Sequence, residues 1–252
     1  MALASLVTGS LITGSLLSLL AIPKAPASSP CPSDMAHVAG DHVEDLQRVC
    51  TEKRFGNKCF AFAPGLLFGE GARTALDVCV DRFEWPNRAG ALAEVMVSYL
   101  EAEAACASVD KRLCTEYEWE LACEGAVPSP WPYGWSRERG ACNNDKTFRA
   151  YDEQKLASPD AEVKTREVLR LMQAEPSGSF ARCESAFGVK DQIGNVEEWV
   201  RTSRAAWPYR SSLKGGYWSK PWSGCRGTNE SHSPGFRYYQ TGFRCCRDAD
   251  RT

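Results

Sequence analysis

Histidine and net charge are both scarce in this chain. His37, His42 and His232 are its three histidines, and 30 Lys and Arg against 32 Asp and Glu leave a formal charge of −2. The two signs are interspersed, so there is no basic stripe to attract nucleic acid or an anionic membrane. No CxxC pair occurs, which removes the common zinc spacings. No GxSxG elbow occurs either. Ser231 and Ser233 flank His232, but adjacent residues do not face one another productively, so a Ser/His/Asp hydrolase reading is weak. No internal repeat is visible.

Cysteine, by contrast, is abundant. Twelve stand at positions 31, 50, 59, 79, 106, 114, 123, 142, 183, 225, 245 and 246, an even number that suggests up to six disulfides in an oxidising compartment. The apolar run Leu6–Ile22 precedes Ala25-Pro26-Ala27, a small-x-small cleavage pattern, so residues 1–27 read as a secretion signal. The run has no Lys or Arg before it, which leaves a misassigned start or an uncleaved anchor open. The expected location is secreted, periplasmic or cell-envelope, with no membrane attachment after cleavage. Eight Trp, 20 Gly and 14 Pro favour a loop-rich α+β fold with aromatic plugs over a helical bundle.

Residues 28–78 read as a polar, Cys-stapled entry segment of strands and loops. Ala75–Phe83 alternates as a strand. Leu92, Val95, Met96, Tyr99 and Leu100 fall at helical spacing, which predicts a helix over Ala91–Ala107 with Glu94, Glu101 and Glu103 in solvent. Thr115-Glu116-Tyr117-Glu118 is a capping box opening a second helix, Thr115–Cys123, whose Glu116 and Glu120 should face outward and which offers no general base. Pro128–Asn144 reads as an aromatic cover for the core. Ala161–Ala174 reads as a surface helix within an insertion at 151–176.

Four segments then stand in order: KRLCTEYEWELAC (Lys111–Cys123), GVKDQIGNVEEW (Gly188–Trp199), LKGGYW (Leu213–Trp218) and GFRCC (Gly242–Cys246). Together they resemble the formylglycine-generating-enzyme, or sulfatase-modifying-factor, family over about Cys79–Asp248. The resemblance implies a C-type-lectin-like domain over 79–252, irregular and loop-rich, with few short strands and two to three helices. It implies disulfides Cys106–Cys245 and Cys123–Cys225, with Cys31, Cys50, Cys59 and Cys79 joined among themselves. Cys114, Cys142, Cys183 and Cys246 are left unassigned.

It also implies a structural calcium ion held by Asp191, the carbonyls of Gly194 and Val196, and Glu198, with Asn143 or Asn144 at a second calcium site. Hard oxygen donors of this kind suit calcium, and the bland alternative is a tight turn with Glu198 salt-bridged to an arginine. Active members hold copper(I) between two cysteines after GGS, where oxygen converts a substrate cysteine to formylglycine. Here Lys220 stands where the first would be, a poor ligand for a soft ion, and Cys225 fits better as the partner of Cys123. Glu197 and Tyr217 also depart from the family pattern in segments lining its substrate groove, beside Trp218, Lys220 and Trp222. The expectation is therefore an exported binding module for an extracytoplasmic peptide, protein or glycan, gripped by loop aromatics such as Trp131, Tyr133, Trp135, Trp218, Trp222 and Tyr238. Two alternatives stay open: a copper oxidase using another pair, Cys225 with Cys246, and a cell-envelope structural protein.

Overall fold

A computed structural model describes Met1 and residues 29–69, 71–202 and 210–250. The predicted secretion signal lies outside these residues except for Met1. The central sheet is built from both ends of the chain. Strand β1 (Met35–Val43) pairs antiparallel along its whole length with β4 (Arg73–Asp81), which pairs with β10 (Cys245–Asp248), which in turn pairs with β5 (Arg112–Leu113). Val78, Cys79, Val80 and Asp81 are all buried, as expected of an inner strand covered on both faces. The entry segment is thus part of the main sheet.

A second sheet has the order β8 (Thr228–Asn229), β7 (Ser211–Lys214), β6 (Glu197–Arg201), β9 (Thr241–Phe243), with β6 and β9 parallel. Strands β2 (Gln47–Arg54) and β3 (Lys58–Phe68) form a separate two-stranded arm. Helix α2 (Glu116–Glu124) packs on β1, β4 and β6, and its Trp119 and Leu121 enter the main core beside Trp131 and Ile193.

The second helix begins as read from the sequence, with Thr115 as N-cap and both capping-box bonds formed. The first differs: α1 spans only Tyr99–Ala107. Ser98 caps it with Glu101, a second S-x-x-E box, and Met96 sits at φ 61°, a left-handed value that interrupts a helix. Residues 91–97 are instead held by single bonds, Glu94 N–H to the Trp85 carbonyl and Met96 N–H to the Tyr238 carbonyl. Of the expected apolar stripe, Tyr99 is buried, whereas Leu92 and Leu100 are exposed. In the insertion, α3 (Glu153–Leu156) and α4 (Ala161–Leu171) pack together, so the described residues carry one helix more than expected.

Six disulfides join all twelve cysteines. Cys106–Cys245 and Cys123–Cys225 are the two pairs implied by the resemblance, and Cys31–Cys79 and Cys50–Cys59 close within the entry group. The unassigned four form Cys114–Cys246 and Cys142–Cys183.

Candidate functional site

The Gly188–Trp199 segment folds as a turn feeding β6. Asp191, Gly194 and Asn195 all have positive φ, and a Cβ on Gly194 would lie 2.3 Å from the Asn143 carbonyl oxygen, so the turn requires glycine there. Asn143 is drawn to this turn: its carbonyl accepts from Asn195 N–H at 2.8 Å and its amide donates to Asn195 Oδ1 at 2.9 Å.

Asp191 and Glu198 are buried, and Arg244 decides what they do. Its guanidinium donates to both Glu198 oxygens at 2.6 Å, and Trp119 Nε1 donates to the same carboxylate at 2.7 Å. Asp191 accepts from Gly178 N–H at 2.6 Å. Glu84, which the sequence did not single out, completes the group by accepting from Asn195 Nδ2 at 2.7 Å and from Val196 N–H at 3.2 Å. Burial and the neighbouring carboxylates push Glu84 well above the usual range, and burial lifts Asp191 to about 6.

Both oxygens of Glu198 face the fixed cation Arg244 and Asp191 accepts from Gly178 N–H, so the two carboxylates expected for calcium are engaged within the protein. The salt-bridged turn is the arrangement present.

The expected outward face of α2 is likewise reversed. Glu116, Glu120 and Glu124 are spaced four apart, fall on one helical face and are at most 3% exposed. Lys214, fully buried, donates to Glu120 Oε1 at 2.6 Å and to Thr228 Oγ1 at 2.5 Å, while His42 Nε2 lies 2.7 Å from Glu120 Oε2. Arg48 and Arg226 close on Glu124. Cations from β2, β7 and the loop before β8, with His42 from β1, therefore meet the three acids, a convergence of distant segments that the helix sequence does not reveal. Burial raises the Glu120 carboxyl, but Lys214 and His42 outweigh it and hold the group at about 2.

Next to this network opens a cavity of about 250 Å³, whose lining includes Lys58, Glu197, Lys220, Trp222 and Thr228. Lys220 Nζ donates to the buried Glu197 carboxylate at 2.9 Å. Trp222 keeps 42% of its surface exposed. Three of the five expected groove residues thus share one cavity. Tyr217 and Trp218 do not line it: both are buried in a cluster with Val196 and Tyr239, because the turn at Gly215-Gly216 points the chain inward there. Trp131 is also core, its indole N–H donating to the Ser223 carbonyl at 2.8 Å. Tyr133, Trp135 and Tyr238 are half-buried. The alternative copper pair is not assembled, since Cys225 is bonded to Cys123 and Cys246 to Cys114, and among the described residues no cysteine is free.

Known proteins share this architecture. The solved structure of PvdO from Pseudomonas aeruginosa is 18% identical, with a TM-score of 0.55 over 89% of this chain and 99% of that one. The crystal structure of CarF is 15% identical, with a TM-score of 0.55 over 87% of this chain and 99% of that one. At these identities the likeness concerns the fold. Hercynine oxygenase of Mycobacterium tuberculosis is 32% identical over 114 residues, and that match takes in 44% of this chain but 22% of the relative. Residues 74–249 match the sulfatase-modifying factor enzyme 1-like domain, and on that extent of match the chain belongs to that family.

Proposed function

We propose that the chain is an exported binding module, not a formylglycine-generating oxidase, and that a peptide, protein or glycan segment is held in the cavity beside Glu197, Lys220 and Trp222. The observation that carries this reading is the pairing of every cysteine in a disulfide, which leaves no thiolate for a soft copper(I) ion. An exposed indole beside a half-buried ion pair supplies an apolar contact with fixed polar groups, the usual make-up of a recognition site. Six disulfides suit an oxidising compartment outside the cytoplasm, and among the described residues no helix is long and apolar enough to cross a membrane.

The test is a screen of the disulfide-intact protein against peptide and glycan arrays, repeated with Trp222→Ala and Lys220→Ala. Binding that either substitution abolishes without lowering the melting temperature is the expected result. Binding untouched by both overturns the reading. The similarity to hercynine oxygenase favours a second reading, oxygen chemistry with a ligand set other than thiolates. A stoichiometric transition metal in the purified protein, together with oxygen uptake that its removal abolishes, would establish that second reading.

A further inference from the structure

The β2–β3 arm (Gln47–Phe68) precedes the matched domain, which begins at residue 74. It is exposed along most of β2 and the second half of β3, and rests on the domain through Phe60 and Phe62. Phe62 packs 5.7 Å from Trp131, Phe62 N–H donates to the Trp135 carbonyl, and Arg137 N–H donates to the Phe60 carbonyl. These contacts aim the tip at the cavity: Phe55 lies 6.4 Å from Trp222 and Lys58 enters the lining. Phe55 is 68% exposed and held at φ 46°, a costly conformation for an aromatic residue. The Cys50–Cys59 disulfide clamps the arm just behind this tip.

The charges around the cavity do not cancel. Glu197 is matched by Lys220, and Lys58 makes no ion pair among the described residues. Beside that ammonium stand two exposed aromatic rings, Phe55 and Trp222. Among the described residues the outer edge of β2 has no strand partner, so it offers main-chain bonds to an extended polypeptide, which favours a peptide over a glycan.

We infer that the arm is the specificity element of this site, selecting a peptide segment in which an aromatic or aliphatic residue adjoins a carboxylate. This rests on the binding reading above. The apolar side chain packs against the exposed faces of the Phe55–Trp222 pair, and the carboxylate meets Lys58.

The test uses the full disulfide-bonded chain and an octapeptide array with central Phe or Leu flanked by Asp or Glu, by Asn or Gln, or by Lys, beside an array of neutral and uronate glycans. Acidic peptides should bind about three- to fivefold tighter than their amide counterparts, the upper part of the range for one partly screened charge pair. Lys58→Ala should bring the two within about twofold, and Lys58→Glu should reverse the order. Phe55→Gly should weaken every peptide while leaving or raising the melting temperature, since glycine accepts the backbone angle. Peptide binding that needs Trp222 but ignores flanking charge and Lys58 overturns this inference and leaves the binding reading standing. Binding of uronate glycans alone also overturns it. Binding of no peptide and no glycan overturns both.

Discussion

Glu120 titrates as a stability element. Its carboxyl is held at about 2 against an ordinary 4.5, so its stabilisation is complete above about 4.5 and is lost as pH falls through about 2. That difference is worth about 3 kcal/mol. Glu120→Gln should therefore lower stability at pH 7 by about that amount and flatten the acid limb of a denaturation profile between those pH values. An unaltered limb would mean that Lys214 and His42 are already matched by other groups. Glu198 and Arg244 are both at most 1% exposed at the side chain, and truncating one member of such a pair costs about 3–5 kcal/mol because the other stays buried and charged. Arg244→Met should show this in urea titration. The sequence made Asp191 and Glu198 visible through the turn they share, and Asn143 through the family resemblance. Glu84 and Arg244 were not, because a carboxylate in Phe83-Glu84-Trp85 and an arginine before a Cys-Cys pair acquire meaning only once the strands meet.

Among the elements, the two helix starts carry the same chemistry. Thr115 was legible because its box opens directly after Lys111-Arg112-Leu113-Cys114, whereas Ser98-Tyr99-Leu100-Glu101 lies inside a longer apolar period that reads as continuous helix. Periodicity overrode the cap, and the left-handed Met96 shows why it should not have. Ser98→Ala and Thr115→Ala should each cost about 1 kcal/mol, measurable as a lowered melting temperature. The arm behaves differently. Its bridge closes a separation of 9 residues, against 132 for Cys114–Cys246, so loop-closure entropy predicts losses of about 3 and about 5 kcal/mol when each is replaced by serine pairs. Equal losses by calorimetry would show that native strain, and not chain entropy, sets the order.

Across the whole molecule, the internal cation Arg244 makes a prediction about metal. Chelation with EGTA should leave the melting temperature unchanged, and added calcium should not raise it. A calcium-dependent rise would require Glu198 to release its guanidinium partner and would restore the calcium set expected from the resemblance. The family, the loop-rich α+β class and the first two long-range disulfides were legible because short motifs at fixed order encode them. The cavity was only half legible: Glu197, Lys220 and Trp222 share it, but Lys58 reaches it from an arm that no motif describes.

Cys245 and Cys246 leave the last strand on opposite faces, one tied to α1 within the core around Trp199 and the other tied to Cys114 beside Trp119. Neither bridge can form until Cys245 and Cys246 have emerged, 139 and 132 residues after their partners, so a nascent chain must keep Cys106 and Cys114 reduced, or protected by an exchange partner, until then. Premature oxidation would trap these thiols in wrong pairings, and yield should depend on a disulfide isomerase more than on the oxidant supplied.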